Sequence, residues 1–232
     1  MPRHKSTKSQ HSLRVDQWIA DAKPCVICGI RQSIDREHVP PKNIFTKPRP
    51  SNLVTVPACS DCNNNTSQLD EEFRAYLSLT VGTSNNNSLD YWTKAALPTI
   101  RSNTRLKRQI IEWTREVEVF SEAGLYLGNA PALLWEVKKH GLIIEKTIRG
   151  LYWKHYNDIL GEHIKLRIQC LSGLSDEIKA MLTRFHIERI GNAFIYAHRR
   201  ADDLHQLSGW LLEFYGTHLV GVFTEPDKPI GT

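Results

Sequence analysis

Cys25-Val26-Ile27-Cys28, then Glu37-His38-Val39-Pro40-Pro41-Lys42, then Asn52-Leu53, then Cys59-Ser60-Asp61-Cys62-Asn63: the chain is organised around this stretch. Two C-x-x-C pairs frame one histidine, one acid and two asparagines. Two residues between thiolates let both sulfurs face one ion, and Gly29 permits the tight turn after the first pair. Four soft ligands suit tetrahedral Zn²⁺ and leave it no open position, so Cys25, Cys28, Cys59 and Cys62 read as a structural site. Thirty residues separate the two pairs. Within them Ser33 to Val39 and Leu53 to Val56 read as strands, and Pro40, Pro41, Pro48 and Pro50 make residues 40–51 an extended loop. Pro57 is expected to end the second strand. The polar run Asn63 to Ser67 can cap a helix, with Asp70, Glu71 and Glu72 in its early turns and Phe73, Tyr76, Leu77 and Thr80 at helical spacing. The order is a ββα unit, for which bound metal would supply folding free energy that a small core lacks.

The composition, 41% hydrophobic and 24% charged over 232 residues, is that of a globular chain. Its net charge of +5 is unevenly placed: residues 1–50 hold ten Lys/Arg against four Asp/Glu, and the remainder is close to neutral. That bias suits phosphate neutralisation near the cysteines. No run of 18 apolar residues is present, and the N-terminus is basic without the apolar core of a signal peptide. A cytoplasmic protein is expected, in which reduced thiols favour metal over disulfides. Cys170, in the alternating run Ile164 to Cys170, is expected to be a packed core thiol.

The organisation read from the chain is a basic arm over 1–11, a zinc-stapled ββα module over 12–81, a turn-rich linker over 82–88 and a larger domain over 89–232. Leu13, Val15, Trp18 and Ile19 form a helical stripe that Pro24 stops. Residues 89–118 read as helical, broken by Pro98. Val117 to Phe120 and Leu125 to Leu127 pair as a small hairpin, and Pro131 sits where a helix would begin. Ile144, Ile148, Leu151, Tyr152 and Ile159 predict a longer amphipathic helix. A strand over 163–171, a helix from Asp176 to Phe185 and strands near 187–198 and 209–223 complete the chain. The fold class is α+β with an antiparallel sheet. The tryptophans at 92, 113, 135, 153 and 210 read as packing groups. His155, His163, His186, His198, His205 and His218 read as structural or surface residues, and Arg105, Lys107 and Arg108 as a solvated helix face.

Hydrolysis of a phosphodiester needs a base for the attacking water and positive charge for the phosphate and leaving oxygen. A neutral imidazole serves the first need, and a divalent ion with few protein ligands the second. Glu37-His38-Val39-Pro40-Pro41-Lys42, Asn52-Leu53 and Cys59-x-x-Cys62-Asn63, preceded by Cys25-x-x-Cys28, resemble the HNH endonuclease family with its ββα-metal fold. The resemblance covers residues 25 to about 80. It implies that His38 is the general base, that Asn52 braces the loop and helps fix the histidine, and that Glu37 and Asn63 ligate a catalytic Mg²⁺ or Mn²⁺. Glu37 stands where the family more often has Asp, with Asp35 as a substitute. Asn63 stands where His is usual, and Asn64 or Asn65 could take its register. Nucleic acid, most simply DNA, is the implied partner, with Lys42, Lys47 and Arg49 on its phosphates. The domain over 89–232 matches no family pattern and could carry self-association. A zinc-stapled module that binds nucleic acid or protein without catalysis is the alternative.

Overall fold

The computed structural model describes residues 9–64, 66–81, 86–121, 123–133 and 137–226. Arg3, Lys5 and Lys8 of the arm, Asn65, residues 82–85 of the linker and Trp135 lie outside them.

Helix α1 (Gln10–Ala20) begins where the Ser9 side chain accepts a hydrogen bond from the Ser12 amide. Strands β1 (Asp35–His38) and β2 (Thr55–Ala58) pair antiparallel, with His38 opposite Thr55. Pro57 does not end β2: it lies inside the strand, opposite Arg36, and a two-stranded ladder gives it an edge on which no amide is required. Helices α2 (Ser60–Asn64) and α3 (Ser67–Val81) follow, so the ββα order is present. Helix α4 (Asn86–Tyr91) runs through a π-helical turn (Trp92–Ala96) into α5 (Leu97–Ser102). Pro98 therefore does not break the helix; it occupies the first turn of α5, where a missing amide is tolerated. The break falls at Asn103, whose side chain caps α6 (Thr104–Trp113) through the Leu106 amide at 3.0 Å. The helical reading to residue 118 ran too far, because β3 (Thr114–Phe120) starts there and pairs with β4 (Tyr126–Leu133). Pro131 lies in β4, not at a helix start.

Helix α7 (Val137–Tyr156) is the central element. Ile143, Ile144, Ile148, Leu151, Tyr152 and Trp153 are buried, and so are Lys146, Thr147 and Arg149 on its other sides. The sequence implied one apolar face; from Ile143 to Trp153 the helix is buried on most of its sides, Leu142 is exposed, and Ile159 falls beyond its end. Its fit is close at Gly150, where an added Cβ would lie 2.8 Å from Val39 Cγ1. On another side lies a five-stranded antiparallel sheet in the order β5-β9-β8-β7-β6: β5 (Ile164–Leu171), β6 (His186–Ile190), β7 (Phe194–Arg200), β8 (Ser208–Phe214) and β9 (His218–Pro226). The two long strands expected near 187–198 and 209–223 are two hairpins, folded at Gly191 and Gly216. Helix α8 (Asp176–Leu182) precedes β6. Cys170 is exposed on β5, so the expected core thiol is a surface one.

One hydrophobic cluster runs from Val15, Val26, Val39 and Val56 through Phe73, Ile148 and Tyr152 to Tyr196, Phe214 and Val222. The ββα segment and the C-terminal sheet thus share a core. Trp113, Trp153 and Trp210 are buried as expected. No helix among the described residues is long and apolar enough to cross a membrane.

Candidate active site

The four cysteines of the two knuckles converge: the sulfurs of Cys25, Cys28, Cys59 and Cys62 all lie within 4.8 Å of one another. A tetrahedral zinc–thiolate site with bonds of about 2.3 Å calls for sulfurs roughly 3.8 Å apart, so the four thiols fit a metal ion such as zinc. The backbone closes the knuckle, with the Gly29 amide donating to Cys25 O (2.7 Å) and the Cys25 amide to Arg31 O (2.7 Å). Gly29 adopts φ +72°, the turn for which it was singled out. Arg31 Nε (3.4 Å) and the Cys62 amide (3.5 Å) both donate to Cys59 Sγ, outer hydrogen bonds of the kind that orient metal thiolates. A hydrogen bond from the Cys62 thiol, with nearby amides, lowers the pKa of Cys25.

Strand alternation sends Glu37 and His38 to opposite faces of β1. Glu37 is buried against α7 and α3, with Lys146 Nζ 3.0 Å from its Oε1. The same ammonium donates to Thr66 Oγ1 (2.5 Å) and stands 3.9 Å from Asp70 Oδ1, a buried atom with no hydrogen bond among the described residues. Two buried carboxylates thus share one ammonium. Burial pushes Glu37 up to about 7, and Lys146 recovers only part of that cost. Glu37 thus offers carboxylate oxygen, a hard donor, at a position that the Lys146 ammonium already occupies.

His38 closes β1. Among the described residues its imidazole has no hydrogen-bond partner, which leaves both ring nitrogens for solvent. Burial, then Lys42, Arg49 and Lys146, hold its pKa below the ordinary value, so the neutral ring is favoured. Asn63 does not meet Glu37; its Nδ2 donates to Asp35 Oδ2 at 2.5 Å, on the same face of β1 as Glu37. Asn52 does not meet His38 either. Its Nδ2 donates to Arg189 O at 2.8 Å and so ties the loop to the β6–β7 hairpin. Tyr215 Oη bonds Ile44 O from the other hairpin turn, and Ile44 and Phe45 are buried. So held, the loop carries Lys42, Lys47 and Arg49 on its exposed surface. Arg49 Nε also donates to Lys42 O at 3.2 Å, which keeps two of the three cations together.

The chain matches no family model, no curated protein and no solved structure. Function is therefore argued from the site alone.

Sequence reasoning missed Lys146, Thr66 and Asp70 around Glu37. A signal existed for the lysine: it lies three residues after Ile143 and four before Gly150, a charge on the buried side of an apolar helix. It also missed that His155, His186 and His198 gather on the sheet: the His155 and His198 rings lie 3.9 Å apart and the His186 and His198 rings 5.7 Å apart. Arg105 is not simply solvated, since its guanidinium pairs with the buried Glu72 at 2.8 Å.

Proposed function

We propose that the protein is a metal-dependent endonuclease of the HNH type, hydrolysing phosphodiester bonds in DNA. One observation carries the reading: an imidazole without a hydrogen-bond partner among the described residues, its pKa lowered by burial and flanking cations, ends the first strand of a ββα unit in which four cysteines converge. In this reading Zn²⁺ holds the knuckles and takes no part in the chemistry.

His38 accepts the proton of the attacking water at a ring nitrogen, a task for which a neutral imidazole is required. Glu37 and Asn63 would be the residues to hold Mg²⁺ or Mn²⁺, an ion that would compete with Lys146 for Glu37 and with Asp35 for Asn63. When bound, such an ion would supply positive charge to offset the negative charge developing on phosphate and leaving oxygen. Lys146 holds Glu37 in place through Oε1 and adds a fixed positive charge beside it. Asn52 fixes the loop on which Lys42, Lys47 and Arg49 meet backbone phosphates. Such a reading places the protein in the reducing cytoplasm, where four thiols keep their metal.

A second reading is favoured by the Glu37–Lys146 pair, because a carboxylate already matched to an ammonium needs no further cation. In it the chain is a non-catalytic, zinc-stapled module that binds nucleic acid or protein. Supercoiled plasmid incubated with Mg²⁺, with Mn²⁺ or with neither ion separates the two. The nuclease reading expects nicking that appears only with added divalent ion. No nicking under any condition, from protein retaining one zinc per chain, would replace it with the binding module.

A further inference from the structure

The C-terminal sheet carries a second polar cavity, of about 440 Å³, at the corner where α7 ends, β6 begins and β7 runs out. Its walls include Tyr156, Arg184, His186, Arg199, Arg200 and Asp202. Tyr156 stands ten residues beyond Lys146 on α7, about 15 Å along the helix at 1.5 Å per residue, so this cavity is separate from the His38–Glu37 region.

Among the described residues that line this cavity, the charge is not balanced. Three guanidiniums face one carboxylate, leaving two positive charges. That carboxylate, Asp202, is 90% exposed and 3.9 Å from Arg199, a geometry in which solvent screens most of the attraction. Arg184 makes no ion pair among the described residues. The acid of β6, Glu188, is committed to Tyr196 Oη (2.6 Å) and to Lys154. The cavity is therefore left positive, a potential that favours entry of an anion.

The cavity is also built rather than incidental. Tyr156 Oη is hydrogen-bonded to His198 Nδ1 at 2.7 Å, and His198 stacks on the buried Trp210 with ring centroids 5.0 Å apart. Arg200 lies over the Tyr156 ring at 4.5 Å, and Arg199 Nη1 donates to Arg184 O at 3.3 Å. These contacts fix the directions of two guanidiniums and leave further N–H groups of each for a ligand.

We propose that this cavity binds a phosphate monoester, the terminal phosphate of a nucleotide. A monoester offers three terminal oxygens and up to two negative charges, which match several guanidinium forks and the two uncompensated positive charges. A diester within a strand has one charge and must leave the site on both sides. The volume is that of a small-molecule site, not of a groove that follows a backbone. The inference stands apart from the nuclease reading and survives its failure.

Calorimetric titration tests it, with no divalent ion added. The ligands are inorganic phosphate, adenosine 5′-monophosphate, adenosine, and one oligonucleotide bearing either a 5′-phosphate or a 5′-hydroxyl. Saturable one-to-one binding of adenosine 5′-monophosphate, weaker binding of phosphate and none of adenosine are expected. The Arg184→Ala/Arg199→Ala variant should bind at least 10-fold more weakly with an unchanged far-UV spectrum. Lys179→Ala, on exposed α8, should bind as the wild type does. Tighter binding of the phosphorylated oligonucleotide than of adenosine 5′-monophosphate would make a strand end the source; the reverse would make it a free nucleotide. Should the double variant fold poorly, Arg184→Gln alone, at an exposed position, carries the same test. Absence of saturable binding by every phosphorylated ligand, affinity unchanged in the arginine variants, or equal affinity for the two oligonucleotides would overturn the proposal.

Discussion

Lys146 is the residue whose surroundings say most about the region of Glu37. Its ammonium is buried between two carboxylates, and removing it leaves both without a partner in a low-dielectric setting. Lys146→Met keeps the length of the side chain and deletes the charge. Loss of one partner of a buried ion pair costs about 3–5 kcal/mol, and urea unfolding at pH 8 should read a loss of that order. Glu37, already pushed up to about 7, escapes part of the penalty by taking up a proton as the pH falls. The deficit should therefore shrink at pH 6. Equal stability of the variant and wild type at pH 8 would show that the pair does not hold the segment. In the sequence Glu37 and His38 are visible as a pair, but the lysine is not, because it lies 109 positions after Glu37 and nothing local joins them.

At the level of elements, the contact between α7 and the segment after β1 turns on one missing side chain. An alanine Cβ at Gly150 would sit 2.8 Å from Val39 Cγ1, and Val39 is fully buried. Gly150→Ala gains about 1 kcal/mol in helix propensity but overpacks a core contact at a cost of about 1–3 kcal/mol. A net loss is expected in denaturant unfolding. Combining it with Val39→Ala should restore more stability than the single changes predict, and simple additivity would contradict the packing. The elements themselves were read with uneven success, for physical reasons. The knuckles, β1, β2 and α3 announce themselves through spacing and capping residues, which act locally. The hairpin turns at Gly191 and Gly216 were passed over because apolar residues continue on both sides of each turn, so periodicity alone reads one strand where two exist. Pro57 reads locally as a strand stop and Pro131 as a helix start, whereas two-stranded ladders leave an unpaired edge on which proline fits.

Over the whole molecule, a single core joins the cysteine-bearing segment to the C-terminal sheet, and that sheet holds the loop of Lys42, Lys47 and Arg49 through Asn52, Pro50 and Tyr215. The part of the chain without a recognisable motif is thus the support of the part that has one. Its buried histidines predict how the fold responds to acid. Burial holds His198 and His218 at about 4 and His155 at about 3, all below the value near 6.5 of an unfolded chain. The unfolded state therefore binds more protons as the pH falls through 6.5, and stability declines from there towards 4, by up to about 1.4 kcal/mol per histidine for each pH unit. His218 packs edge-on against Tyr76 at 5.6 Å and near Phe214, so phenylalanine can replace it in this aromatic setting. His218→Phe should flatten the fall in melting temperature between pH 6.5 and 4.5; an identical slope would remove His218 from the account. The central claim concerns what the assembled chain does, and it is tested most directly by the rate at which His38→Ala nicks supercoiled plasmid in saturating Mn²⁺, beside wild type of equal zinc content and melting temperature. Loss of the general base should lower that rate by about 100-fold or more, and a rate equal to the wild type's would contradict the assignment of His38.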